Sequence, residues 1–304
     1  MPRSSRVACV LVAVVGCVLL GGCGAGDGER SREEPAAAPA TSPSVIRVTP
    51  LPEGEGHTHA PGEDHTTPVG DGTTATVGGY RLADVRLDAR PGRPGEVSFR
   101  ILDRAGRPVT EYVEEQTKLL HLYVISADLS DFRHLHPVLG DDGTWSARVA
   151  VAEAGDHRVV AELTPAGSGR PVALGVTVPV PGRGAGPQAQ QEGGDGVLSA
   201  AAEGPGEVGP DGRLTMLVRT QRGGAVPLGS YLGTSAHLTG FRTDGGQFVH
   251  VHPYGEPEQT EDGTRLTFHT TFEQPGDYRF FLQVRVDGFL HTLPVTAAVT
   301  APGS

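Results

Sequence analysis

The chain has 304 residues, 44 of them Gly and 25 Pro, with few aromatics and a net charge of −11. That composition excludes a long coiled coil, and the acidic balance argues against a nucleic-acid binder or a basic membrane-surface patch. What remains is a loop-rich globular chain suited to an extracytoplasmic setting and able to attract cations.

Taken in chain order, residues 1–23 come first. Arg3 and Arg6 precede the run VACVLVAVVGCVLL, whose fourteen residues are too few to span a bilayer comfortably and read as an export signal. The run leads into Leu20-Gly21-Gly22-Cys23, which resembles the bacterial lipobox. That resemblance implies cleavage before Cys23, lipid on Cys23, and a chain anchored to the outer face of the cell membrane. Cys9 and Cys17 then leave with the signal, so the mature chain keeps no free thiol and no disulfide. Met1 and Met216 are the only methionines, so a metal site must use nitrogen and oxygen.

The stretch over 24–75 is charged and rich in Pro, Ala and Ser, with no apolar period, and reads as a disordered linker. Within it, EGEGHTHAPGEDH places His57, His59 and His65 among carboxylates and glycines, where they would either collect a divalent cation loosely or form part of a solvated acidic tether.

From about residue 76 the texture changes to short β-branched runs between Gly, Pro and Asp turns. EVSFRIL, LLHLYVIS, WSARVAVA, HRVVAEL and ALGVTVPV are the strands expected in a first domain over 76–182. A low-complexity linker over 183–196 resets the pattern. RLTMLVRT, SAHLTGFR, GQFVHVHP, RLTFHTTF, DYRFFLQVRV and LHTLPVTAAV follow in a second domain over 197–304. The halves match in order: GRPVTEY answers GAVPLGSY, and each is followed by a lone His, a His-x-His-Pro, an Asp-Gly-Thr turn and a Gly-Asp-x-Arg. The expected fold is all-β, with two tandem immunoglobulin-like antiparallel β-sandwiches after a signal peptide and a disordered linker.

The histidine spacing carries the functional signal. His121 is followed thirteen and fifteen residues later by His134 and His136, and His237 by His250 and His252 at the same intervals. In the second copy a two-residue Asp244-Gly245 turn sets His237 opposite His252 and Thr239 opposite His250, with His250 diagonal to His237 on the same face. Three imidazoles then converge with the geometry of a transition-metal site. A three-residue loop using Gly246 would slip the pairing by one and send His237 to the other face. The first copy centres its turn on Asp128-Leu129; Leu is poor at positive φ, which predicts a loop of another type. The bland alternative is half-buried histidines bonded to backbone carbonyls.

Other residues carry weaker signals. His291, in GFLHTLPV, is a possible fourth ligand in the second copy, with Ala173 as its counterpart in the first. His157 and His269 read as solvent-facing strand residues. Trp145 is expected to pack on the sandwich, and Arg158 and Arg279 to make salt bridges or cover the sheet.

LLHLYVISADLSDFRHLHP, its later counterpart and AGDHRVV resemble segments of secreted bacterial lipoproteins with tandem His-x-His-Pro β-domains associated with heavy-metal handling, and are distantly similar to YtkA-like domains and periplasmic copper-carrier sandwiches. The resemblance implies a metal-handling theme; the lack of methionine near the histidines departs from cuprous carriers. The expected function is therefore a lipid-anchored, extracytoplasmic protein that binds Cu(II) or Zn(II) and is not an enzyme. Its expected partners are the membrane, through Cys23, the metal ion, and an envelope protein, with no nucleic acid. Two other functions stand beside it. One is a non-catalytic structural or interaction module without metal; the other is a zinc-dependent hydrolase or hydratase, for which no acid–base carboxylate recurs beside both triplets.

Overall fold

Short apolar strands broken by tight turns bury their apolar face by stacking one sheet on another. The computed structural model describes residues 67–183 and 193–303, and among these there is no helix. The first repeat contains β1 (Thr76–Val77), β2 (Tyr80–Arg90), β3 (Arg93–Leu102), β4 (Tyr112–Val113), β5 (Leu120–Ser126), β6 (Phe132–Leu135), β7 (Val138–Leu139), β8 (Thr144–Val149), β9 (Gly155–Pro165) and β10 (Val172–Val180). The second contains β11 (Leu198–Ala202), β12 (Gly206–Glu207), β13 (Gly209–Thr220), β14 (Ala236–Arg242), β15 (Phe248–Val251), β16 (Glu258–Thr260), β17 (Gly263–Phe272), β18 (Gly276–Val286) and β19 (Phe289–Thr300).

Sheet orders β2-β3-β8-β7 and β10-β9-β5-β6 in the first repeat are repeated as β11-β13-β17-β16 and β19-β18-β14-β15 in the second. These are the A-B-E-D and G-F-C-C′ sheets of an immunoglobulin-like sandwich, so the all-β, two-domain expectation holds. The expected strands omit β2, β6 and β11 and the short β1, β4, β7, β12 and β16. β2 (YRLADVRLDAR) is interrupted by a bulge between Ala83 and Arg86, with Asp84 at φ 54°, which breaks the alternation that marks a strand.

Each sandwich has its own core. Trp145 is buried in the first, as expected, its Nε1–H donating to the Tyr112 hydroxyl at 3.2 Å. Phe268, Phe272 and Phe280 fill the second. The outer faces of the two G-F-C-C′ sheets then pack on each other. Along β5, Leu120, Leu122 and Val124 point into their own core, while Tyr123 and Ile125 join Phe132, Leu129 and Val160 against Phe241, Phe248 and Phe281 of the other repeat. Every residue of β5 is buried because both faces of its sheet are covered. Phe132 and Phe281 stack across this seam at 4.2 Å and 6°. Arg158 lies over the Phe241 ring and donates to the Gly245 and Gly246 carbonyls, both at 2.9 Å.

The two C–C′ hairpins have one geometry, against the expectation of different loops. In the second, Gly245 N–H donates to Arg242 O and Arg242 N–H to Gln247 O; in the first, Leu129 N–H donates to Ser126 O and Ser126 N–H to Asp131 O. Gly245 has φ 86° and Leu129 has φ 60°. Leu129 is held there by its buried side chain in the inter-repeat seam and by Ser126 Oγ, Asp128 and Ser130, which are hydrogen-bonded to one another and to the loop backbone. Tertiary packing thus overrides a local cost of order 1–2 kcal/mol.

Phe281→Ala removes a fully buried ring from the seam and is expected to cost about 3–5 kcal/mol. Denaturant melts read this directly, and an unchanged midpoint would mean that the seam does not form in solution.

Candidate metal centre

The hairpin register decides which imidazoles meet. Thr239 pairs with His250 and Leu238 with Val251, as the Asp244-Gly245 turn requires, although the loop spans residues 243–246 rather than two. One step further along, His237 and His252 come together. Tyr123 pairs with His134 and Leu122 with Leu135, which brings His121 to His136 in the same way.

The structure gathers each triplet. His121 Nδ1 lies 3.0 Å from His134 Nε2, and His237 Nδ1 lies 3.0 Å from His250 Nε2. His136 joins with ring centroids 5.1 Å from His121 and 4.8 Å from His134; His252 joins at 4.7 Å from His237 and 4.8 Å from His250. Within each triad one nitrogen per ring lies within 4.8 Å of the other two, so each can hold a metal ion. His136 Nε2 is buried and makes no hydrogen bond.

The outward nitrogens are tied down, and that settles where the protons sit. His121 Nε2–H donates to the Glu115 carbonyl and His237 Nε2–H to the Tyr231 carbonyl, each at 3.1 Å. His134 Nδ1–H donates to Gln283 Oε1 at 2.7 Å, the amide being oriented by its own donation to Thr292 Oγ1. His250 Nδ1–H donates to Glu162 Oε2 at 2.6 Å. With those protons on the outward nitrogens, the inward nitrogens of two rings face each other at 3.0 Å in each triad, an arrangement that a cation between them, a metal ion or a shared proton, stabilises.

The carbonyls come from two further hairpins. Gln116 and Thr117 have φ 49° and 64°, and Leu232 and Gly233 have 52° and 82°. Positive φ at both central positions makes type I′ turns, and a β-branched Thr there is a strained choice that persists where the turn is needed.

The two triads face each other across the seam between the repeats. His121 lies 5.3 Å from His250 and 6.2 Å from His237, and His134 lies 5.9 Å from both, all between ring centroids. Tyr123 stacks on His134 at 4.6 Å, and its hydroxyl reaches Glu162 at 3.4 Å. Each repeat supplies a partner to the other's triad: Glu162 stands on β9 opposite His121 but bonds His250, while Gln283 stands on β18 opposite His237 but bonds His134. A cleft of about 720 Å³ runs along the seam, lined by His121, Glu162, His250 and His252 among others.

Burial makes these imidazoles poor proton acceptors. It pushes His121 down to about 4, helped by His250 nearby, and His136 down to about 3, helped by His121. His134 and His237 are pushed well below the usual histidine value by the same burial and by neighbouring histidines. Burial pushes the Glu162 carboxyl up, but His250 more than offsets this and holds it below the ordinary carboxylate value. The first four are therefore neutral near pH 7, the state a metal requires.

Other expected residues fall elsewhere. His291 does not join the second triad: its Nδ1 bonds Asp195 Oδ2 at 2.6 Å. On the paired strands it stands opposite Val284, the position that Val172 rather than Ala173 occupies opposite Leu163. His157 is fully buried rather than solvent-facing, because the strand turns it inward to Gly155 O at 3.1 Å, with Nε2 3.8 Å from Asp131. His269 is half-buried against Tyr254 and lines the cleft. Arg158 and Arg279 serve backbone carbonyls and Thr296. Cys23, His57, His59 and His65 lie outside the described residues.

Glu162 and Gln283 were missed, yet each stands four residues after the arginine of Gly-Asp-x-Arg. Glu115 and Tyr231 each precede their histidine by six, so Tyr231 answers Glu115 and not Tyr112.

Two stretches, residues 75–180 and 191–301, match a single family, described as Domain of unknown function (DUF8832). No curated protein matches the chain. Among solved structures it is similar to a chimeric titin Z1Z2-Z1Z2 tandem (13% identity, 74% of this chain and 100% of that chain, TM-score 0.19). It is also similar to an endo-fucoidan hydrolase from glycoside hydrolase family 107 (12% identity, 73% and 29%, TM-score 0.21) and to latent PorU from Porphyromonas gingivalis (11% identity, 73% and 23%, TM-score 0.24). The chain spans less than a third of the hydrolase and of PorU.

Acid should loosen the fold. The unfolded chain takes up protons on these histidines near pH 6.5, whereas native His121 resists until about pH 4, so stability is full above about pH 6.5 and falls as pH drops below it. His121 alone accounts for roughly 3 kcal/mol of this loss. Thermal melts between pH 7.5 and 4 check the slope, which should flatten in a His121→Ala variant.

Proposed function

Because the chain belongs to the DUF8832 family and carries that uncharacterised domain twice, its role must come from its own residues, and we propose that it binds a divalent transition metal, Zn(II) or Cu(II), without catalysing a reaction. The ligands are His121, His134 and His136 in one triad and His237, His250 and His252 in the other. The observation that carries this reading is the pair of imidazole nitrogens facing each other at 3.0 Å in both triads, with a third ring beside each pair. Two nitrogens bound to one Zn(II) at ~2.05 Å in tetrahedral geometry sit ~3.3 Å apart, so the facing pair needs little movement to bind, and the third nitrogen closes in from within 4.8 Å. Imidazole-only ligation suits Zn(II) and Cu(II), and Met216, the one methionine besides Met1, is buried in the second core away from the seam.

A binding role is favoured over hydrolysis by the local chemistry. Glu162, the carboxylate bonded to a triad histidine, is occupied by His250 and Tyr123, and Gln283 replaces it at the equivalent place. We place the protein outside the cell on a lipid at Cys23, with an envelope partner that delivers or receives the ion. The support is the signal-like 1–23 segment ending in the lipobox resemblance.

Metal content of the tag-free full chain, measured by mass spectrometry, should reach one ion per occupied triad and fall when His121, His134 and His136 are all changed to Ala. Zn(II) at a hundred times its Kd should add about 2.7 kcal/mol of stability, reversed by chelator. Metal content no higher than in a variant lacking all six histidines would sink the proposal.

A further inference from the structure

We infer that the two triads are unequal: the second-repeat triad, His237, His250 and His252, binds the first ion tightly because Glu162 of the first repeat orients His250, and the first-repeat triad takes a second ion more weakly. This rests on the metal-binding reading above and goes beyond it by ordering the sites.

The repeats place the two triads at the same positions but differ in the group that the middle histidine donates to. A ligand imidazole that donates its far N–H to a carboxylate is a stronger donor to a metal than one that donates to a neutral amide, because the carboxylate supports the positive charge spreading onto the ring. His250 donates to the Glu162 carboxylate at 2.6 Å; its counterpart His134 donates to the Gln283 amide oxygen at 2.7 Å. Glu162 is itself largely enclosed, its side chain 12% exposed, so its charge is poorly screened where it meets His250.

The surroundings push the same way. Lys118 closes the turn that holds His121, and its ammonium bears on His121 and His136; Thr234 stands at the equivalent place in the second repeat. Arg285 of the second repeat is engaged over the Tyr231 ring at 5.6 Å. His250 and His252 also line the cleft, whereas in the first triad His121 alone does, so the second triad offers the cleft more of its ligands. Once that ion is seated, its charge opposes a second ion in a triad whose rings approach to between 5.3 and 6.2 Å.

The test is a Zn(II) titration of the metal-free full chain against a chromophoric chelator. The expected result is two steps, the first at least tenfold tighter. His237→Ala with His252→Ala should remove the tight step, and His121→Ala with His136→Ala the weak one. Glu162→Gln, which copies the first-triad arrangement, should weaken the tight step by about 10–100-fold and leave the weak step in place. Gln283→Glu should tighten the weak step, and the Glu162→Gln, Gln283→Glu double variant should invert the order of filling, a result that loss of packing alone would not produce. Two equal steps, or a tight step unmoved by Glu162→Gln, overturns the inference while metal binding stands. No Zn(II) uptake by the unsubstituted chain overturns both.

Discussion

The packing of two sheet faces against each other supports everything else in this molecule. In a lone immunoglobulin-like domain the outer face of the G-F-C-C′ sheet is free to be wet and polar. Here Tyr123, Ile125 and Phe132 meet Phe241, Phe248 and Phe281, and the seam turns the outer face of each sheet into an interior. Aromatic rings of this size bury on the order of 150–250 Å² each, which gives the seam a core of its own. The histidines stand on the same strands or just past their ends, on the same face, so closing the seam also shields them from water.

Removing polar rings from water has a cost unless every nitrogen finds a partner. The fold satisfies one nitrogen each of His121, His134, His237 and His250, with backbone carbonyls from two strained turns and with Glu162 and Gln283 reaching across the seam. In His121, His134, His237 and His250 the remaining nitrogens face each other in pairs. Burial and neighbouring histidines keep His121, His134, His136 and His237 neutral, the state in which they can bind a metal ion. The structural alternative of histidines satisfied by carbonyls accounts for His121 Nε2 and His237 Nε2 but not for the inward nitrogens.

Exchange of partners between repeats links the centre to domain docking. Each triad is completed by a side chain from the other repeat, so neither domain alone carries the full set. That also gives a reason for tolerating Leu129 at positive φ: its side chain belongs to the seam, and the seam repays the local strain. The seam is pseudo-symmetric, and the substitution of Gln283 for Glu162 is where the symmetry breaks in a way that bears on a metal.

Most of the longer strands, the repeat and the convergence of each histidine triplet were legible in the sequence, because they follow from local rules. Alternation marks the strands, the Asp244-Gly245 turn sets the hairpin register, and residues two apart share a face. The same local rules misjudged Leu129 and His157, where burial by distant strands outweighed the preference of the residue itself. They were silent on the meeting of the two triads and on Glu162 and Gln283, whose roles come from strands of the opposite repeat. A partner more than eighty residues away in the chain leaves no periodicity to read, and only the docking of one sheet face on another decides which side chain it meets.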